Sequence, residues 1–164
     1  VCFTGDLFGP WVNSAIIRGA LRRVQDNPEH TFVFLTKNPE RLAEFNPWPP
    51  NAWVGASATN AGEFIARYRG LCKVEDSVRW ISLEPLLAWG IHPPLSEGTT
   101  FRKLQWLVIG LQSGRGAVKP QLSWVLDIVE AADKAGIPIW LKNNLLKLYP
   151  ELPKRQELPE GTNQ

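Results

Sequence analysis

The chain has 164 residues, 18 Lys and Arg against 16 Asp and Glu, a net charge of +2 and two cysteines. That length suits one domain able to bury a core, and a charge so near neutral does not imply non-specific attraction to nucleic acid or membrane. Cys2 and Cys72 are too few for a disulfide framework, or for a zinc or iron–sulfur site built from three or four cysteines of this chain.

Short, nearly continuous apolar runs alternate with helical patterns along the chain. A strand is expected over residues 1–3. A helix capped by Asn13 or Ser14 follows, with Val12, Ile16, Ile17, Ala20, Leu21 and Val24 on one face. A second strand covers 31–35, and then Asn38 caps a short helix with Pro39 at its first position, reaching Phe45. A third strand covers 52–55. The next helix starts at Asn60, with Glu63 three residues on as a capping-box partner and Phe64, Ile65, Tyr68 and Leu71 as its apolar face.

A fourth strand covers 78–83. Residues 85–103 carry Gly90, Pro93, Pro94 and Gly98 without a helical period and read as a loop. A fifth strand covers 104–109. After Pro120 a helix buries Leu122, Val125, Leu126, Val129 and Ala132 and stops at Gly136. A sixth strand covers 137–141. The tail, residues 143–164, has Pro150, Pro153 and Pro159 and reads as irregular wrapping or disorder. No apolar run approaches the ~18 residues of a membrane span and no signal peptide is visible, so a cytoplasmic location without membrane contact is expected.

Six strands with intervening crossovers imply an α/β domain over residues 1–142 with a parallel sheet. Apolar runs without alternation suit strands covered on both faces. Two architectures fit: a doubly wound open sheet, or a partial, TIM-barrel-like (β/α) barrel supplying about six of the eight units that a complete barrel builds from ~250 residues.

Each strand ends in polar or ionisable groups, and in parallel α/β folds ligands bind at that edge. Asp6, Lys37, Glu84 and Lys142 are the charged candidates for acid, base and anion-binding roles. A charge directly after a buried strand is costly unless paired or used. Lys142 with Glu84 also reads as a structural ion pair across the rim. Asn38 and Asn60 read first as helix caps.

Residues 110–116 form a glycine-rich turn able to cradle phosphate or carboxylate on backbone amides, although the spacing matches neither the dinucleotide nor the P-loop motif. Trp53, Trp80, Trp106 and Trp140 read as core residues, whereas Trp48 and Trp89, in loops, are candidates to stack a base or ring. His30 and His92 stand in no metal-ligand spacing. Arg18, Arg22 and Arg23 read as a solvated helix face rather than a nucleic-acid site, though a nucleic-acid partner stays open.

These motifs, taken together, resemble a phage- and bacteria-associated family of unknown function related to radical-SAM proteins. The matching segments are Gly5-Asp6-Leu7-Phe8, His30-Thr31-Phe32 through Leu35-Thr36-Lys37-Asn38-Pro39, and Trp48-Pro49-Pro50-Asn51 through Trp53-Val54-Gly55. Ser82-Leu83-Glu84-Pro85-Leu86-Leu87, the turn at 110–116, and Pro138 through Leu141-Lys142 complete the set.

The resemblance implies a (β/α) barrel whose cysteine motif lies in sequence before Val1 and holds a [4Fe–4S] cluster with S-adenosylmethionine. It implies that Ser57, Asn60, Gly110, Gln112, Ser113 and Gly114 lie near the cofactor, and that Asp6, Lys37, Glu84 and Lys142 face a small-molecule or nucleotide-like substrate. DNA photoproduct repair enters only as an analogy. The chain departs from the family pattern where Leu111 replaces a glycine and Gln112 a glutamate, which removes a carboxylate from that turn. The alternative reading is a cluster-free, non-enzymatic module that binds a nucleotide or phosphate, so enzyme and binding module both stay open.

Overall fold

The computed structural model describes residues 5–90, 103–112 and 114–159. Five strands, β1 (Phe32–Thr36), β2 (Ala52–Ser57), β3 (Val78–Leu83), β4 (Trp106–Ile109) and β5 (Ile139–Leu141), form one sheet in that order. Every neighbouring pair is parallel. The helices are α1 (Ser14–Gln25), α2 (Ala61–Leu71), α3 (Leu122–Ala135) and α4 (Asn143–Leu148), with a 3₁₀ helix at Pro39–Phe45.

Among the described residues the sheet thus has five strands rather than the six expected; the expected strand at residues 1–3 lies outside them. A strand order without reversal moves the chain one way across the sheet, so the doubly wound alternative, which needs a reversal, does not apply. Among the described residues β1 and β5 are the outermost strands of the sheet and the five do not close into a ring, as a partial barrel of this size need not.

Pleating sends alternate side chains to opposite faces. Phe34 and Thr36 of β1, Val54 and Ala56 of β2, Ile81 and Leu83 of β3, and Ile109 of β4 are all buried, and the apolar ones join a single core with Ile17, Phe64 and Ile128 of the helices. The opposite face carries no helix in that core. Trp53, Trp80 and Val108 form a separate cluster there, with Trp106 and Trp140 packed against it. Trp106 lies 5.7 Å from Trp53, 5.2 Å from Trp80 and 6.4 Å from Trp140, centroid to centroid. Such pairs contribute about 0.5–1.5 kcal/mol each beyond the area they bury. The near-continuous apolar runs of β2 and β3 therefore do mark two covered faces, one by helices and one by indoles.

Local signals place most helix ends. Asn13 Oδ1 accepts from Ala15 N at 2.8 Å and starts α1. Asn60 Oδ1 accepts from Glu63 N at 3.0 Å, and the Glu63 carboxylate reaches back to Thr59 N at 2.7 Å, one residue before the position a standard capping box uses. Gly136 ends α3 with φ of 66°, a left-handed conformation that favours glycine.

Some expectations fail for geometric reasons. Ile16 is exposed because the buried stripe of α1 runs through Ile17, Leu21 and Val24; likewise Leu126 is exposed and Ile128 takes the core position in α3. Asn38 makes no side-chain cap bond to the 3₁₀ helix. Trp48 and Trp89 are not open stacking platforms: both are buried, Trp48 against Phe8 and Phe34 and Trp89 against Phe64.

Residues 143–159 are more ordered than the prolines there suggest. They open with α4, bury Leu145 and Leu152, and then run antiparallel beside β5 through the Trp140–Gln156 bridge. Leu141 N donates to Arg155 O at 2.8 Å, Glu157 N to Ile139 O at 3.0 Å, and Trp106 Nε1 to Glu157 O at 2.8 Å. The Arg155 guanidinium binds Glu157 and Asp133, and this hydrogen bonding holds the Glu157 carboxyl below its ordinary range.

A depressed carboxyl stabilises above its unfolded pKa and loses that contribution as pH falls through the folded value. Glu157→Gln should therefore lower stability at neutral pH, and the gap to the wild-type protein should shrink toward about pH 3. Urea unfolding at both pH values checks this; a gap independent of pH would show that the charge of Glu157 does not secure residues 153–159 against β5.

Candidate functional site

Because all five strands are parallel, their C-terminal ends share one edge. The pleat puts Ser57, the last residue of β2, on the helix-free face of that edge, and continuing it one residue past the other strands puts Lys37, Glu84, Gly110 and Lys142 there too. Four of the five are polar or charged, and together they form the rim of the sheet.

The β3–β5 half is organised by one contact. Lys142 Nζ donates to Glu84 Oε2 at 2.5 Å, linking the ends of two strands that are not neighbours. Gly110, at the end of β4 between them, makes this approach feasible. A Cβ there would lie 2.7 Å from Glu84 Oε1 and 2.9 Å from Lys142 Cδ. The backbone is equally well held: Gly110 N donates to Leu83 O at 3.1 Å and Lys142 N to Ile109 O at 3.0 Å. The pair is still open to water, with Lys142 44% and Glu84 26% exposed at the side chain.

The β1 half is built around Asp6. Its carboxylate accepts from Phe8 N at 3.0 Å, Thr36 Oγ1 at 2.7 Å, Lys37 N at 2.8 Å and Asn38 Nδ2 at 3.1 Å. Asn38 is thus recruited by Asp6 rather than by the helix after it. Arg41 fixes the next stretch of the same loop, its guanidinium donating to Gly9 O and to Val12 O. Beside this loop a groove of ≈ 590 Å³ runs along β1, lined by Asp6, Trp11, Val33, Leu35, Lys37, Ser57 and Trp80 among others.

Six residues were expected near a cofactor. Ser57 lines the groove. Asn60 is spent as a cap. Gly110 is no open backbone surface, because Glu84 and Lys142 lie over it. Gln112 Oε1 accepts from Val118 N at 3.0 Å, just beyond the turn. Gly114 has φ of 110° with open space where a Cβ would be, and Ser113 lies outside the described residues. The turn is separated from the start of α3 at Leu122 by residues 117–121, so its amides do not form a helix N-terminus. Sequence reasoning missed Thr36, Trp11 and the groove role of Trp80; a threonine at a core-facing position of β1 was the available signal for the first.

The family described as protein of unknown function (DUF5131) matches residues 1–146. The chain belongs to the DUF5131 family. The DUF5131 match spans the whole sheet and every rim residue from Asp6 to Lys142, and ends inside α4. No curated protein and no solved structure matches the chain.

The donor set bears on the iron–sulfur cluster that the resemblance implies. Cys72 is the C-cap of α2 and sits just before β3, at the end of the sheet away from the rim. Among the described residues no three His, Cys, Asp or Glu side chains are grouped to hold a metal ion. The described residues therefore do not fit a cluster. Among them, too, no helix is long and apolar enough to cross a membrane.

Proposed function

We propose that this DUF5131 chain binds a small ligand at the C-terminal rim of its sheet, with Lys142 and Glu84 presenting a cation and a carboxylate to it. The observation that carries the reading is the ion pair held over Gly110. A partly exposed pair contributes only about 0–1 kcal/mol to stability, so the fold has little need of it. Ligand binding at this edge is the common use of parallel α/β architecture. A ligand with a carboxylate or phosphate engages the Lys142 ammonium, and an amino group engages Glu84 once the internal pair opens.

The resemblance to radical-SAM proteins names S-adenosylmethionine, whose aminoacyl end carries both groups; the alternative ligand class is a nucleotide or free phosphate. The described residues hold no cluster ligands, so their part is to bind and orient the ligand and to exclude water, and no radical step is assigned to them. Calorimetric titration of the full chain with S-adenosylmethionine and with AMP tests this. One-to-one binding of either is expected, weakened about 10-fold by Lys142→Met, the loss of one charge-assisted contact. No heat with either ligand, or an affinity unmoved by Lys142→Met, overturns it.

A further inference from the structure

The groove beside β1 has its own chemistry, separate from the Glu84–Lys142 pair. β1 and β3 are two strands apart, on the order of 10 Å by ordinary strand spacing. The groove's volume of ≈ 590 Å³ is that of a small-molecule site, for which pockets run from about 300 to 1,000 Å³. Its walls are apolar and unusually open. Val33 and Leu35 of β1 are 39% and 43% exposed, and the Trp11 indole is 76% exposed. The Trp11 ring lies against the backbone of Gly9, where a Cβ would come within 2.5 Å of it, so it stands as a fixed flat surface.

Among its polar groups, hydrogen-bond donors dominate. The Lys37 ammonium has no ion-pair or hydrogen-bond partner among the described residues, and the Ser57 hydroxyl has none either. Trp80 lines the groove and is 6% exposed, its Nε1 has no acceptor among the described residues, and the indole rests over Gly55. A buried donor without a partner costs free energy that an incoming acceptor recovers. The other ionised lining group, Asp6, is already committed to four donors of its own chain. The uncommitted charge in the groove is therefore positive.

We propose that this groove is a binding site for a planar, apolar molecule bearing one anionic group, a carboxylate or a phosphate. The flat body packs on Trp11, Val33 and Leu35. The anion meets Lys37 and Ser57, and an acceptor on the ligand takes the Trp80 N–H. The proposal does not rest on the rim reading, because its dyes and variants are different; AMP is common to both, and only displacement of the dye places it in this groove.

The test uses fluorescence titration of the full chain with 8-anilinonaphthalene-1-sulfonate and with its neutral counterpart, N-phenyl-1-naphthylamine. One-to-one binding of the anionic dye is expected. Lys37→Gln should weaken it about 10-fold while moving the neutral dye less than about twofold, since only the charge-assisted contact is lost. Trp11→Ala should weaken both dyes, and Trp80→Phe, which keeps a ring and removes the N–H, should weaken the anionic dye alone. Displacement by AMP assigns the anion as phosphate, and displacement by indole-3-carboxylate assigns it as carboxylate. Several dye molecules per chain, affinities unmoved by Lys37→Gln and Trp11→Ala, or displacement by neither competitor overturns the proposal. Both of those side chains are exposed, so thermal unfolding close to that of the wild-type protein is expected and confirms that the variants fold.

Discussion

Replacing Asp6 with alanine is expected to destabilise the fold by about 3 kcal/mol, because four donors lose their acceptor at once. The loss falls on a vulnerable place. Thr36 is only 2% exposed, so its hydroxyl cannot turn to bulk water, and the amides of Phe8 and Lys37 belong to the loop and strand end that frame the groove. For a chain of this length the change corresponds to a fall in Tm of roughly 6–12 °C. Thermal unfolding measures it, and a Tm within about 2 °C of the wild-type protein would remove Asp6 from this architectural role.

Asp6→Asn separates charge from shape. An amide has one acceptor oxygen, whereas both carboxylate oxygens are used: Oδ1 by Phe8 N and Thr36, Oδ2 by Lys37 N and Asn38. Either orientation of the asparagine points an NH₂ at a donor. An intermediate loss is expected, nearer to alanine than to aspartate. A catalytic carboxylate that only touches a substrate would behave differently, losing binding or turnover at constant stability. Asp6 was singled out in the sequence by its place after an apolar run, and that position is equally what a loop anchor requires.

The contrast between Asn38 and Asn60 shows where sequence reasoning reaches its limit. Both precede a helical stretch, and both read as caps. Asn60 is one, because Glu63 and the backbone of its own turn supply the partners within four residues. Asn38 is not, because a carboxylate 32 positions earlier in the chain claims its amide. Local chemistry was legible, and the contact of Asp6 with Asn38 was not. The same holds for the rim. A charged residue after each of two buried strands was visible, and so was the option that Glu84 and Lys142 pair; that Gly110 must be bare for them to meet needed the register of β3, β4 and β5. The sheet's second face is a further case. An uninterrupted apolar strand reads alike whether helices or indoles cover it, so the doubly wound option stood until the strand order removed it. The strap at residues 153–159 read only as irregular wrapping or disorder, because its anchors are backbone bonds to β5 and the Arg155–Glu157 pair, neither of which has a hydrophobic period.

Gly55→Ala is expected to cost about 2 kcal/mol, although alanine is normally the better strand residue. A Cβ at position 55 would sit 2.5 Å from Trp80 Cδ2 and Nε1, far inside contact distance. The obstacle is a rigid bicyclic ring and not the end of a flexible chain. Trp80 is 6% exposed and is backed by Trp106 at 5.2 Å, which itself meets Trp53 and Trp140. It has nowhere to go without moving the whole aromatic row. Overpacking of this kind costs about 3 kcal/mol at the upper end of its usual range, and relief of the glycine's backbone entropy returns up to about 1 kcal/mol. A Tm fall of roughly 4–8 °C follows, with a loss of near-ultraviolet dichroism from the displaced indoles. The double variant Gly55→Ala/Trp80→Leu isolates the cause: alanine at position 55 should cost much less once the ring is gone, a coupling that a mutant cycle reads directly. If Gly55→Ala instead raises Tm, Trp80 is free to shift, and the tryptophan face is not the packed layer that its ring distances describe.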